Sequence, residues 1–382
     1  MKHICIIILA LAVITGCQVK SDPAIEPAEI IIGKTFGGAE NEGASRILRI
    51  EDSALYLSGN GTQSGVATVF LQKLDLHFNS EWNRSYESAG VAGQYTYHMA
   101  TLNNGIILSG TSIHEGNEDL LLIKCDLNGS PQWEKRLGGV AREEGHTIIE
   151  LSDRSLIVTG LTASKGQGGR DVYLVKLDES GRMIWDKTFG SVGDDYAHDL
   201  AITIDQHLLL IGTSDRQIYV IKLDLSGNLI WERTYAFGQD NSGWTVIDGH
   251  QGYLMGCYVD GDVSIAKIDP EGELLWETRI GGNRDDYVLF GKAAQNGSGY
   301  IFCGQTQSYG NGGSDAYLVK IDEQGNLLWE KTIGAAGNDG ASAFVELDNG
   351  ALVVAGSTDS YGNGGQDVWL FKLSSAGDLL TE

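Results

Sequence analysis

The stretch DAYLVKIDEQGNLLWEKTIGAAGNDGA, residues 315–341, is one unit of a pattern that recurs along the whole chain. Its marker is a tryptophan behind a turn. GSPQW, GRMIW, GNLIW, GELLW and GNLLW end at Trp133, Trp185, Trp231, Trp276 and Trp329, and NSEW, ending at Trp82, is a looser copy. The intervals from Trp82 onward are 51, 52, 46, 45 and 53 residues. Periods of roughly 40 to 50 residues filled with short strands are the mark of propeller blades.

Working outward, the next copy shows the grammar of one blade. ASAFVELDNG (341–350) is a strand ending in a turn, and ALVVAGSTDS (351–360) is the next strand. The loop YGNGGQ (361–366) leads to DVWLFKLSSAG (367–377), and DLL (378–380) begins a fourth strand. Turns such as DNG and DEQG supply the positive φ angles of tight hairpins. The strands LVVAG, YLVKL and LLW are apolar on both faces, as expected of a blade sandwiched between neighbours. No segment carries a sustained 3.6-residue apolar stripe, so helix has no place. Seven copies of each strand type are present, with inner strands beginning near Ala44, Tyr95, Gly145, Ala197, Gly243, Tyr287 and Ala341. The expected fold is all-β: a single seven-bladed β-propeller of four-stranded antiparallel blades.

The two ends fit that ring. The chain stops in mid-repeat at AGDLLTE, with Thr381 where tryptophan falls in the other copies. EIIIGKTFGG (29–38) supplies the missing piece, with Ile32 at the tryptophan position. Residues 29–36 are therefore expected to close the last blade beside residues 367–373.

Ahead of the repeat, MKHICIIILALAVITGC has signal-peptide proportions: a short polar start, an apolar run, and small residues leading to Cys17. Ile14-Thr15-Gly16-Cys17 resembles the lipobox of bacterial lipoproteins. By that resemblance residues 1–16 are a signal peptide and Cys17 is the lipidated N-terminus. Acyl chains contribute about 0.8 kcal/mol per buried CH₂, enough to hold the protein on a bilayer. Gln18, and not Asp, follows the cysteine, which under the sorting rule for such lipoproteins points to the outer membrane. Residues 17–28 read as a tether and 29–382 as the propeller.

Composition narrows the partners. The formal net charge is −24, which repels nucleic acid and anionic lipid. Cys125, Cys257 and Cys303 sit inside strand patterns, and an odd count is no disulfide framework. They are expected to be buried thiols in a monomeric protein.

Several side chains recur once per blade. Asp171, Asp315 and Asp367 close the loops GQGGRD, GNGGSD and GNGGQD. The loops resemble a calcium-binding nonapeptide, yet they lack its tandem stacking. Each aspartate is expected to accept backbone N–H bonds in its own turn. Glu42, Glu143, Asp195, Asp240, Asp286 and Asp339, with Gln94 in the second blade, form a second set at the starts of the inner strands. At ~10 Å in water neighbouring carboxylates repel by only ~0.4 kcal/mol. Their expected role is capping the turns between blades, and the alternative is a cation, calcium above all, at the channel mouth. Lys73, Lys124, Lys176, Lys222, Lys267, Lys320 and Lys372 occupy one position in the third strands, laid across an aromatic ring or paired with an acid such as Glu330.

Departures from the repeat point to the site. Blades four and five lack the GNGG loop and keep only SDRQ and VDGD, which leaves a low sector in the loop-bearing face. Trp244, Tyr196, Tyr287, Tyr309 and Tyr361 lie there or close by, with Asp240 and Asp286 within reach. Flat aromatic faces beside carboxylates suit a sugar or a peptide. The opposing expectation is that these rings are packed wedges between blades. The histidines show no HExxH or HxH spacing, and there is no GxSxG elbow.

The repeat DxYLVKLDxxGNLLWEKTxGGxxxDxA resembles the propeller repeats of surface lipoproteins of Bacteroidetes-type bacteria, over residues 29–382. DxxGxxxW is also similar to the tryptophan-docking motif of quinoprotein dehydrogenases and of the propeller lipoprotein that assists outer-membrane assembly. Those have one residue more between Asp and Gly, and usually eight blades. The resemblance implies a PQQ-like propeller repeat and says little about activity. The expected function is a lipid-anchored, non-enzymatic binding or scaffolding propeller of the cell envelope, periplasmic or surface-exposed, with a glycan or protein ligand on the loop face and no cofactor. The alternatives are a polysaccharide hydrolase or lyase and an outer-membrane assembly factor.

Overall fold

A computed structural model describes residues 33–50, 53–87 and 90–380. The expected signal peptide, the expected lipidation site Cys17, the expected tether and residues 29–32 lie outside the described residues. What is described is all β, in six sheets. Five contain four or five strands. The sixth has eight and consists of two antiparallel meanders, residues 42–86 and 91–137, joined by one parallel bridge between Ala67 and Gly93.

Numbered along the chain, the blades begin at the innermost strands Glu42–Ile50, Val91–Leu102, Glu143–Glu150, Asp195–Ile202, Asn241–Gly249, Asp286–Ala293 and Asp339–Glu346. The hydrophobic clusters lie between consecutive blades. Leu209 and Ile211 of the fourth blade meet Met255 and Cys257 of the fifth, for example. The last cluster joins Val353 and Leu370 of the seventh blade to Leu55 and Leu74 of the first, which returns the core to its start. Cys125, Cys257 and Cys303 are free and buried.

The N-terminal strand joins the C-terminal blade. Lys34, Thr35 and Phe36 pair with Leu370, Trp369 and Val368, while Leu379 and Leu380 pair with Leu373 and Lys372 farther along the same strand. One outer strand is thus assembled from both ends of the chain.

The repeat motif DxxGxxxW has a simple physical content. In the turn, Asp322 Oδ1 accepts the N–H groups of Gln324 (2.9 Å) and Asn326 (2.8 Å), and Asp126, Asp178, Asp224 and Asp269 do the same in their blades. Gly325 then takes φ +83°, and a β-carbon there would lie 2.8 Å from Trp276 of the preceding blade. Each tryptophan docks on the turn glycine of the next blade in this way: Trp82 on Gly129, Trp133 on Gly181, Trp185 on Gly227, Trp231 on Gly272 and Trp329 on Gly377.

The lysine row is built from both expected contacts. Lys222 reaches Asp205 (2.8 Å) and Lys73 reaches Glu81 (2.8 Å), while Lys372 lies 4.9 Å from the centre of the Phe78 ring. Among the described residues Glu330 forms no ion pair with a lysine: it accepts the Tyr317 hydroxyl.

Candidate functional site

Each innermost strand is broken by a β-bulge where it faces a glycine of the second strand. The register slips between Ala44 and Arg46, Thr96 and His98, Gly145 and Ile148, Ala197 and Asp199, Gly243 and Thr245, Val288 and Phe290, and Ala341 and Ala343. Glycine is required opposite because the bulge brings a carbonyl close. A β-carbon on Gly110, Gly212 or Gly356 would sit 1.8 Å from the oxygen of Tyr95, Tyr196 or Gly340. The bulged residues Ser45, Tyr97, His146, His198, Trp244, Leu289 and Ser342 line a central cavity of about 460 Å³.

That ring is lopsided. Blades two to five contribute an aromatic arc, and blades six, seven and one contribute Leu289, Ser342 and Ser45. His146 and His198 stack at 5.2 Å, His198 and Trp244 at 4.1 Å, and Tyr97 meets His146 edge-on at 5.3 Å. Burial holds His98 and His198 well below the usual histidine range, so both are neutral at pH 7. Glu144 is also buried, which alone would raise its pKa, but hydrogen bonding from His146 (3.0 Å) and the Arg142 guanidinium bring it below the ordinary value. Trp244 Nε1 is buried without a hydrogen-bond partner among the described residues.

At Arg170, Tyr196 and Trp244 this cavity meets a second one, a cleft of about 640 Å³ on the loop face over blades four to six. Asp240 and Tyr287 also line it, so four of the residues singled out by the sequence come together there. Tyr287 stacks on Tyr258 at 4.9 Å, and burial, with Asp285 beside it, pushes its hydroxyl up to about 12. Asp240 is half-exposed and pairs with Arg216 at 3.3 Å.

Three candidates do not join the site. Asp286 is fully buried and accepts the N–H of Gly282 (2.8 Å), the Ser308 hydroxyl (2.8 Å) and the Thr306 hydroxyl. Tyr309 donates its hydroxyl to the Gly281 carbonyl (2.6 Å), and Tyr361 packs 5.8 Å from Trp369. Asp286 caps its turn, and the two tyrosine rings lie against Tyr317 and Trp369 of their own blades, with Tyr309 partly exposed.

The acidic set lies in the turns between blades. Glu143, Asp195 and Asp339 are buried and accept the N–H groups of Gly139, Ser191 and Ala335, and Glu42 accepts that of Gly38. In the fifth blade the position belongs to Asn241, which accepts the N–H groups of Phe237 and Gly238 (both 2.9 Å). Asp240, one residue earlier, is outside the set, which corrects the sequence alignment. Among the described residues no cluster of three or more acids, histidines or cysteines is arranged to hold a metal ion. Asp171, Asp315 and Asp367 accept the loop N–H groups of Gln167, Asn311 and Asn363, as their turns required.

A family model described as outer membrane protein assembly factor BamB matches residues 170–375, more than half of the chain. The chain belongs to this family of PQQ-like propeller repeats. The regulatory protein FlaEY of Caulobacter vibrioides is 28% identical over 228 residues, covering 56% of this chain and 21% of the relative. The chain thus spans about a fifth of that protein. Among solved structures, a puromycin hydrolase has a TM-score of 0.56 at 12% identity, with 88% of this chain and 53% of the hydrolase covered. Sqt1 from Chaetomium thermophilum has a TM-score of 0.51 at 11% identity, with 91% and 87% covered. At such identities the likeness is one of fold.

The cavity histidines, Tyr97 and Arg46 were not legible as a site in the sequence. A signal was present: in the inner strands the column Ser45, Tyr97, His146, His198, Trp244, Leu289, Ser342 varies while the residue before it stays small or apolar.

Proposed function

We propose that this chain is a single closed seven-bladed propeller, lipid-anchored at Cys17 in the bacterial outer membrane, that binds a ligand without transforming it. The ligand is a glycan or a protein segment lying across blades four to six and entering the central cavity. The observation that carries the reading is the junction at Tyr196, Trp244 and Arg170, where an open cleft lined by stacked tyrosines runs into a deep aromatic-walled hole. Concave sites with aromatic walls and a few polar groups are where small-molecule and chain-end ligands gain most. Calorimetric titration of the soluble Cys17→Ser protein with oligosaccharides and peptides tests it. Binding that persists undiminished in Trp244→Ala defeats the assignment.

A second reading, a factor for outer-membrane protein assembly, is favoured by the family description and by one feature. Outer strands of blades three to six begin with exposed apolar pairs, Met183-Ile184, Leu229-Ile230, Leu274-Leu275 and Leu327-Leu328, where the first two blades have Ser80-Glu81 and Pro131-Gln132. Replacing the four pairs by Ser-Glu separates the two readings. Under the second, loss of partner co-purification follows while the cleft's affinity is unchanged.

A further inference from the structure

Arg46 follows the bulged Ser45 and lines the central cavity. Its guanidinium donates to the Ser342 carbonyl across the junction of the first and last blades (3.3 Å) and lies 4.8 Å from the centre of the Phe290 ring. Nε is buried and has no hydrogen-bond partner among the described residues. Among the described residues no carboxylate forms an ion pair with it. The nearby Asp199 is fully engaged in tying together blades three, four and five, accepting from Thr147 Oγ1 (3.0 Å), Leu200 N (2.9 Å), Thr245 Oγ1 (2.9 Å) and Val246 N (3.0 Å). Glu144, the acid on the cavity wall, is occupied by Arg142 and His146. Arg170, at the junction with the cleft, also lacks an ion-pair partner among the described residues.

A buried cation that forms no ion pair, its nearby counter-charge Asp199 being tied up with other donors, is costly, and it is out of keeping with a chain of net charge −24 whose surface is rich in acids. Resting on the binding function proposed above, we infer that the central cavity takes the acidic end of the ligand: a sugar ring bearing a carboxylate, a uronate, with Arg46 as its anchor. A planar guanidinium matches a carboxylate edge to edge. The apolar faces of a pyranose suit the aromatic arc ending at Trp244, and Ser45 and Ser342 leave the room that a bulkier pair of residues would fill. Arg170, at the entrance, draws the anion inward.

The test uses the Cys17→Ser protein and two probes that differ in charge and by the small ester methyls: trigalacturonate and its fully methyl-esterified form. The acid should bind at least about tenfold more tightly than the ester, the scale of one charge-assisted hydrogen bond. Arg46→Gln should abolish that preference, Arg46→Lys should restore part of it, and Arg170→Gln, at the rim, should weaken the acid by a smaller factor. Melting curves establish that each variant is folded. Should Arg46→Gln fail to fold, the acid–ester comparison and Arg46→Lys decide. Equal affinity for acid and ester overturns the inference but leaves the cleft reading standing. Inorganic phosphate displacing the acid at equal concentration overturns the sugar assignment. If neither probe binds, and neutral oligosaccharides and peptides also fail, the binding function falls with it.

Discussion

Trp276 closes on Gly325 so tightly that a β-carbon at Gly325 would lie 2.8 Å from the indole, while the glycine itself sits at φ +83°. Two independent constraints, a left-handed backbone and an occupied β-carbon position, therefore select glycine behind every blade turn that faces a tryptophan. Gly325→Ala should cost about 2 to 3 kcal/mol, more than the ~1 kcal/mol of left-handed strain alone. Trp276→Leu in the same chain should recover part of that loss in urea melts. A full, unrelieved penalty in the double variant would mean that the indole contact contributes nothing.

The first blade breaks the rule and shows why it exists. Its turn places Phe78 at the glycine position, at φ +62°, and the phenyl ring is buried with Leu370 and Leu74. Lys34 donates to the Phe78 carbonyl (2.8 Å) and Lys372 covers the ring. In sequence, Ile32 stands where the other copies have tryptophan. Phe78→Gly should relieve left-handed strain of ~1 kcal/mol yet lose a buried aromatic worth about 3 to 5 kcal/mol. A net destabilisation of about 2 to 4 kcal/mol is expected in chemical denaturation, whereas unchanged stability would remove Phe78 from the closure.

Closure itself depends on the N-terminal strand. Deleting residues 29–36 should expose the edge of Asp367–Leu373, lower stability by several kcal/mol and promote aggregation. Size-exclusion chromatography with thermal melts reads this directly, and a deletion variant that stays monomeric with an unchanged Tm would show that the pairing of Lys34–Phe36 is dispensable.

The blades were legible because their signals are local and repeated: Asp322, Gly325 and Trp276 each answer a constraint within two neighbouring blades. The cavity was not, because its wall comes from bulges. A bulge adds one residue without changing the apolar pattern on either side, so His198 reads as one more polar residue in a strand. Its stacking on Trp244 and His146 comes only from the ring, which brings residues about 50 positions apart side by side. The alignment error at Asp240 has a different origin. Asn241 caps the turn as well as a carboxylate does, and a search for acids passes over it.

A pH prediction follows from Asp315. Burial raises its carboxyl to about 6, against the Asn311 N–H that accompanies it and with Asp339 adding to the rise. A folded pKa above the unfolded value near 4 means the folded state holds the proton longer, so this group's contribution to stability declines as pH rises from about 4 to 6 and is level above that. Asp315→Asn should leave the Tm unchanged at pH 4 and raise stability by about 1 kcal/mol above pH 7, less than the full linkage value because water reaches the turn. A lower Tm for the variant at pH 8 would show that the ionised carboxylate is needed by the GNGG loop.

The last prediction weighs Trp244 as ligand surface against Trp244 as wedge. It lies between the cleft and the central cavity, stacks on His198 at 4.1 Å and leaves Nε1 without a hydrogen-bond partner among the described residues. Packing loss on removal of a fully buried tryptophan runs to about 3 to 5 kcal/mol. Trp244 is only half-buried and faces empty volume, so Trp244→Ala should cost less, about 1 to 2 kcal/mol. Ligand affinity should drop far more, by a factor of ten or beyond. Tyr309→Ala with Tyr361→Ala should do the opposite, because both rings pack on the scaffold: reduced Tm with affinity nearly intact. Melting and titration of both variants in parallel decide the matter. A Trp244→Ala protein that is strongly destabilised, yet binds normally in its folded fraction, would make the tryptophan a structural wedge and shift the search to Tyr258 and Tyr287.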